Sequence, residues 1–151
     1  NYCAAHLLGK VGRVRVSAYM YQSLAMVQAS RNLTKFNVPN LMLRAAVLLL
    51  SDCLKHSAEL DFSAVRKMVE DTYGIDCRFE ESREHAFLGD IMHSLVVGYL
   101  NKFSYCMFYF NSLCEFDDLM LDAFEVVKNV VAQRAGRLDY FNPDGICKPL
   151  S

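Results

Sequence analysis

Ile91-Met92-His93-Ser94-Leu95-Val96-Val97-Gly98-Tyr99-Leu100-Asn101-Lys102-Phe103-Ser104-Tyr105-Cys106-Met107-Phe108-Tyr109-Phe110-Asn111-Ser112-Leu113-Cys114 is the stretch on which the fold turns, because Lys102 is its only charge. A run of about 20 apolar residues is enough to cross a bilayer. This one, however, contains Gly98, Asn101, Ser104, Asn111 and Ser112, and splits near Lys102 into two apolar runs of helix-hairpin length. A helix that is apolar all round is buried in a protein core or a membrane. The small polar residues favour the first, so the expectation is a central core helix from Gly89 to about Asn101.

Around it, helix signals recur and strand signals are nearly absent. Val14 and Val16 alternate with arginines, but from Ser17 the pattern is helical, with Met20, Leu24 and Val27 on one stripe. Pro39 suits a first helical position and opens a second helix that carries Leu41 through Leu50 and runs to about His56. A third starts at Asp61 as N-cap, with Leu60 and Val65 spaced as a hydrophobic staple, and stops at Gly74. Its buried stripe is Phe62, Val65 and Val69. Glu80 to Phe87 forms a short amphipathic piece leading into the apolar run Ile91 to Leu100. Ser112 and Glu115 are spaced as a capping box for a helix from Leu113 to Ala135, which Gly136 ends. Six or seven helices without a repeat or a linker make one all-helical domain over residues 1–151.

The composition agrees. The 151 residues are 53% apolar and 12% aromatic, with no tryptophan, and 16 basic against 17 acidic groups leave a net charge of -1. Such a chain can bury a core of its own and is neither disordered nor a polyelectrolyte. A near-neutral total also argues against nucleic acid as a partner. Lys10, Arg13, Arg15, Arg31, Lys35 and Arg44 precede the first acid, Asp52, so the first 51 residues carry +6 and the remainder -7. Their scatter reads as a solvated face; contact with an acidic partner or a lipid surface is the alternative.

Cysteines stand at 3, 53, 77, 106, 114 and 147 with no Cys-x-x-Cys pair, most of them inside apolar helical patterns. They read as reduced thiols in a cytoplasmic setting. The first residue is Asn1 rather than Met, as in a processed piece, and Asn1 to Gly9 lacks the basic start and apolar core of a signal peptide.

Ordinary catalysis is not expected. His85 and His93 lie eight residues apart, roughly 12 Å along a helix, too far to share a metal ion with Glu81. Nucleophile elbows and phosphate loops are absent, and Asp117-Asp118 in a first helical turn reads as compensation of the helix dipole. The expectation is a non-enzymatic protein with no metal and no cofactor.

Three sites at mutually consistent spacing resemble the Bcl-two family of apoptosis regulators. The first is Leu88-Gly89-Asp90-Ile91, with Gly98 eight residues after Asp90, similar to the family's Trp-Gly-Arg-Ile and its following Phe-Gly pair. The second is Val130-Val131-Ala132-Gln133-Arg134-Ala135-Gly136, continuing through Asp139-Tyr140-Phe141, similar to a Trp-Ile pair, a Gly-Gly turn and Trp-Asp-x-Phe, with one extra residue after the glycine. The third is Ser51-Asp52, with Val47 four positions before the serine and Phe62 ten after the aspartate, similar to Leu-x-x-x-Gly-Asp and its groove-lining Phe. The resemblance spans about Val47 to Phe141.

It implies a bundle of amphipathic helices around one apolar central helix, Gly89 to about Asn101. Gly89 would start that helix at a close approach of backbones, Gly98 would let a neighbour cross it, and Gly136 would turn the chain. The implied function is anti-apoptotic: a surface groove holds the amphipathic helix of a pro-apoptotic partner. Leu54, Ala58, Phe62 and Val65 would form one wall, and Gly89, Met92, His93 and Val97 the floor. Asp90 stands where the family has the arginine that pairs with the ligand's aspartate, which implies a divergent, viral homologue with a substitute base such as Arg83. Leu88 and Val130 occupy positions where the family carries tryptophan. The resemblance leaves open a viral adaptor acting as a homodimer with its groove closed, a pore-forming member, and association with the mitochondrial outer membrane.

Overall fold

Leu41 through Leu50 contains one polar residue, Arg44, and the helix built on that run is the centre of the fold. In a computed structural model, which describes residues 2–30, 38–56, 62–73, 82–113 and 116–140, the chain forms α1 (Tyr2–Lys10), α2 (Val14–Ala29), α3 (Val38–His56), α4 (Ser63–Tyr73), α5 (Arg83–Val97), α6 (Leu100–Leu113) and α7 (Asp118–Tyr140). No strand occurs among the described residues. The all-α helical bundle expected from the sequence is present.

Every residue from Leu41 to Asp52 is buried, and α3 packs against α2, α4, α5 and α7. Each buried leucine of that run contributes roughly 1.5–3 kcal/mol of transfer free energy. The central helix is therefore α3, not Gly89 to Asn101. The reason is amphipathicity: Gly89, Asp90, His93, Val96 and Val97 all face out, so α5 has one wet side. Arg44 is accommodated at the centre because its guanidinium lies 5.5 Å over the Tyr21 ring and donates to the Asp117 carboxylate at 2.5 Å.

The α2–α3 contact differs from the expected stripe. Ser17, Ala18, Tyr21, Gln22 and Ala25 are buried, whereas Met20 and Leu24 are half-buried and Val27 is exposed. Small residues win that face because Ala18 and Ala25 let two helix backbones approach closely. Helix α1 has no counterpart in the sequence reading. It docks through Ala5, fully buried, whose carbonyl accepts from Ser17 Oγ at 2.5 Å, and through Gly9, where a Cβ would come within 2.7 Å of the Leu119 side chain.

Four helix ends also fall elsewhere than expected. The apolar stretch breaks at Gly98 rather than near Lys102: Gly98 has φ 72°, and its N–H and that of Tyr99 donate to the Ser94 carbonyl. Only glycine adopts that left-handed conformation at no steric cost. Gly98 is thus the C-cap of α5 and not a mid-helix crossing point. At the other end Ser82 caps α5, its hydroxyl accepting from the His85 N–H at 3.2 Å, so the helix starts well before Gly89.

The predicted capping box at Ser112 and Glu115 does not start α7. Ser112 lies in the last turn of α6 and its hydroxyl donates to the Tyr109 carbonyl; Glu115 is outside the described residues. Asp117 is the cap instead, accepting from the Met120 N–H at 3.1 Å. Finally, α7 runs through Gly136 to Tyr140. A glycine inside a helix costs only about 1 kcal/mol, too little to end a helix by itself. Asp139 belongs to that same helix. The third helix agrees with expectation: α4 spans Ser63–Tyr73 and buries Phe62, Val65 and Val69. Asp61, Leu60 and Gly74 lie outside the described residues.

Candidate functional site

Helices α4 and α5 both lean on α3, and between them lies an open apolar groove of about 480 Å³. Its α4 side is Phe62, Val65, Arg66, Val69 and Glu70; its α5 side is His85, Leu88, Gly89, Met92, His93 and Val96. The spacing is helical on both sides: positions 62, 65 and 69, and positions 85, 88, 92 and 96, each form one stripe. Leu88 and Val65 are buried, Met92 is half-buried and Val96 is exposed, so the floor is dry and one edge is open.

Polar groups sit at the rim. The Arg66 guanidinium lies 5.9 Å over the Phe62 ring, and the His93 ring is 3.1 Å from Lys102 Nζ. Gly89 is exposed in the middle of α5, and a Cβ built there would meet nothing within 4 Å. It is not a point of close backbone approach.

Of the residues expected in a groove from the sequence, Phe62, Val65, Gly89, Met92 and His93 line this one. Leu54 does not; it packs half-buried against the core. Val97 is exposed and outside the lining. Ala58 is outside the described residues. Asp90 lines a different cavity of about 510 Å³, between α5 and α6, together with Arg83, Tyr105 and Tyr109. Arg83 is no substitute base for the α4–α5 groove, since it pairs with Glu84 at 3.3 Å and stacks on Phe110. Arg66, Glu70, His85, Leu88 and Val96 were missed. Extending the 62, 65 and 89, 92 stripes by one helical turn would have found most of them.

The remaining motif residues hold the scaffold. Val47 is fully buried in α3, and Ser51 Oγ donates to the Leu48 carbonyl. Asp52 accepts from Arg15 Nε at 2.9 Å and lies 3.3 Å from the His56 ring, which ties α2 to α3. The hydrogen bond to Asp52 holds the Arg15 guanidinium above its ordinary pKa. Asp117 shows two opposed effects: partial burial pushes its carboxyl up, but the bonds from Arg44 and the Met120 N–H prevail and hold it below its ordinary value. Burial pushes the Cys106 thiol up, away from the reactive thiolate. Cys3, Cys53 and Cys106 are free thiols. Gly136 and Asp139 fall in α7, where only the backbone is described, and Phe141 lies outside the described residues. No group of three His, Cys, Asp or Glu side chains among the described residues could hold a metal ion.

Compared with known families, residues 2–132 match the model of the soluble NSF attachment protein, SNAP. The chain belongs to the SNAP family. No curated protein and no solved structure matches it.

Membership in the SNAP family overturns the resemblance to the Bcl-two family, and with it the anti-apoptotic function, the pro-apoptotic partner helix and the viral-decoy homodimer. The mitochondrial association inferred from that resemblance has no support either. The physical reason is that the three motifs rested on glycines and acids that any helical chain uses. Here Gly98 caps a helix, Gly89 faces solvent, Asp52 serves an ion pair, and Asp90 faces a different cavity. The lack of tryptophan, which that resemblance turned into a divergence, leaves a described core of aliphatic residues, methionine, phenylalanine and Tyr21. Among the described residues, no helix is long and apolar enough to cross a membrane.

Proposed function

We propose that this chain is an attachment adaptor of vesicle trafficking, one that binds SNARE complexes and NSF and serves SNARE disassembly by holding the two together. The observation that carries this reading is the family match, which runs across residues 2–132 and therefore through α1 to α6 and more than half of α7. In this reading the chain supplies binding surface rather than chemistry, and takes no metal or cofactor. The α4–α5 groove supports it as a concave, apolar and accessible surface with charged residues at its rim, the usual anatomy of a partner site.

The test is co-sedimentation of the purified chain with an immobilised, assembled SNARE complex, and then of NSF in its presence and absence. NSF retained on the complex only when the chain is added supports the adaptor. A chain that retains neither partner overturns it. Met92→Asp places a charge in the groove at a half-buried position beside the core; with circular dichroism matching wild type, it is expected to weaken retention at least tenfold if the groove makes the contact.

A further inference from the structure

The cavity of about 510 Å³ between α5 and α6 is separate from the α4–α5 groove and carries different chemistry. Its size falls within the roughly 300–1,000 Å³ of ordinary ligand sites. Phe87 and Phe110, both buried and stacked at 4.3 Å and 10°, form its floor. The Tyr105 and Tyr109 rings line it from α6 as an aromatic ridge, 6.5 Å apart, within 12° of parallel and more than half exposed.

Two charged side chains of α5 line the same cavity, Arg83 and Asp90. They lie seven residues apart in sequence, or about 10 Å along the helix. Arg83 has its partners already, with Glu84 Oε1 at 3.3 Å and the Phe110 ring 5.9 Å from its guanidinium. Asp90 has no such partner: among the described residues no cation pairs with its carboxylate, and Lys102 lies 3.1 Å from the His93 ring instead. The charge of Asp90 nonetheless reaches α6, where, after burial, it is the second cause that pushes the Cys106 thiol up.

We propose that this cavity takes the arginine side chain of a partner protein, its guanidinium stacked on the Tyr105 and Tyr109 faces and paired with the Asp90 carboxylate. Arg83 shows the same recognition within the chain, since at one end of the cavity it uses a carboxylate and an aromatic face. Asp90 and the two tyrosines offer those same groups at the other end. A guanidinium is planar and weakly hydrated, so it stacks on a ring and forks onto a carboxylate at once. An ammonium is a strongly hydrated point charge with no flat face to stack. An anionic ligand would meet Asp90, and an aliphatic one would cover that carboxylate without giving it a partner. Arg83 opposes the incoming cation weakly, being paired with Glu84 and two helical turns away from Asp90. Nothing in this recognition requires that SNARE or NSF supply the arginine, so it is testable apart from the adaptor role.

The experiment is titration of the full chain with N-acetyl-arginine amide, followed by nuclear magnetic resonance at the ring signals of Tyr105 and Tyr109. Saturable shifts of both rings are expected, with a millimolar dissociation constant for one isolated side chain. N-acetyl-citrulline amide, the neutral isostere, and N-acetyl-lysine amide are expected to bind about threefold more weakly or worse. Asp90→Asn is expected to weaken arginine binding about threefold, the size of an exposed ion pair, and Tyr109→Leu by a similar factor. Leu7→Ser, at an exposed position of α1, is expected to bind as wild type does. Spectra that match wild type outside the cavity show that each variant folds. The absence of a saturable shift at either ring overturns the proposal. So does a citrulline or lysine derivative that binds as tightly as the arginine one, or an undiminished affinity in Asp90→Asn.

Discussion

Arg44, in the middle of the central helix α3, donates to the carboxylate of Asp117, the residue that caps α7. One carboxylate therefore performs two tasks, with Oδ1 accepting from the first turn of α7 and Oδ2 pairing with the buried guanidinium of α3.

Removing either partner has a definite cost. Arg44→Met keeps most of the side-chain volume but leaves Asp117 with its cap bond and the His6 ring at 3.9 Å. A loss of about 1–3 kcal/mol is expected, nearer the lower figure because Asp117 keeps contact with water. Asp117→Ala removes the cap of α7 as well as the charge partner of a buried guanidinium, so it is expected to cost more than Arg44→Met. Urea denaturation of both variants measures the order; equal stability of Asp117→Ala and wild type would refute the dual role.

The same pair sets a pH dependence. The folded state holds the Asp117 carboxyl below its ordinary value of 3.8, so the unfolded chain binds the proton more readily. The contribution is fully present above that ordinary value and is lost as pH falls through the lower, folded one. The stability gap between wild type and Asp117→Asn is expected to be flat from pH 7 to about 5 and to shrink below about 4. Chemical denaturation at a series of pH values reads it directly.

Two glycines of α5 predict opposite outcomes for one substitution. Gly89→Ala adds a methyl that meets nothing and replaces a poor helix former, so stability is expected to rise by up to about 1 kcal/mol, or roughly 2–4 °C in Tm. Gly98→Ala forces a Cβ into a φ of 72° and is expected to lose about 1 kcal/mol or more. Thermal unfolding followed by circular dichroism distinguishes them.

The identity of the central helix is tested by truncation. Leu49→Ala in α3 removes a fully buried side chain and is expected to cost 2–5 kcal/mol, in the ordinary range of about 2–5 for such cavities. Val97→Ala at the exposed end of α5 is expected to change stability by less than about 0.5 kcal/mol. Comparable losses at the two positions would restore a central role to α5.

Much of the secondary structure was legible in the chain. Pro39 and the run Leu41 to Leu50 gave α3 nearly to the residue, and Phe62, Val65 and Val69 gave the buried stripe of α4. Helix ends were harder to read wherever two capping signals competed. Ser112 and Asp117 both suit an N-cap, and the choice fell to Asp117 because Arg44 waits across the bundle for its second oxygen. Gly98 and Gly136 look alike in sequence, yet one ends a helix and the other does not, since Ser94 accepts the freed N–H groups behind Gly98 while α7 simply continues.

By itself, then, the sequence determined that this protein is all helical and where its strongest amphipathic stripes lie, because propensity and 3.6-residue periodicity are local properties. Which helix is central, which apolar stripes face each other across an open groove and which aromatic ridge is left in water were decided by tertiary structure alone. Burial is a property of pairs of helices: α3 and the Ile91–Cys114 stretch are both apolar, and only packing on four sides distinguishes a core helix from one that keeps a face for a partner.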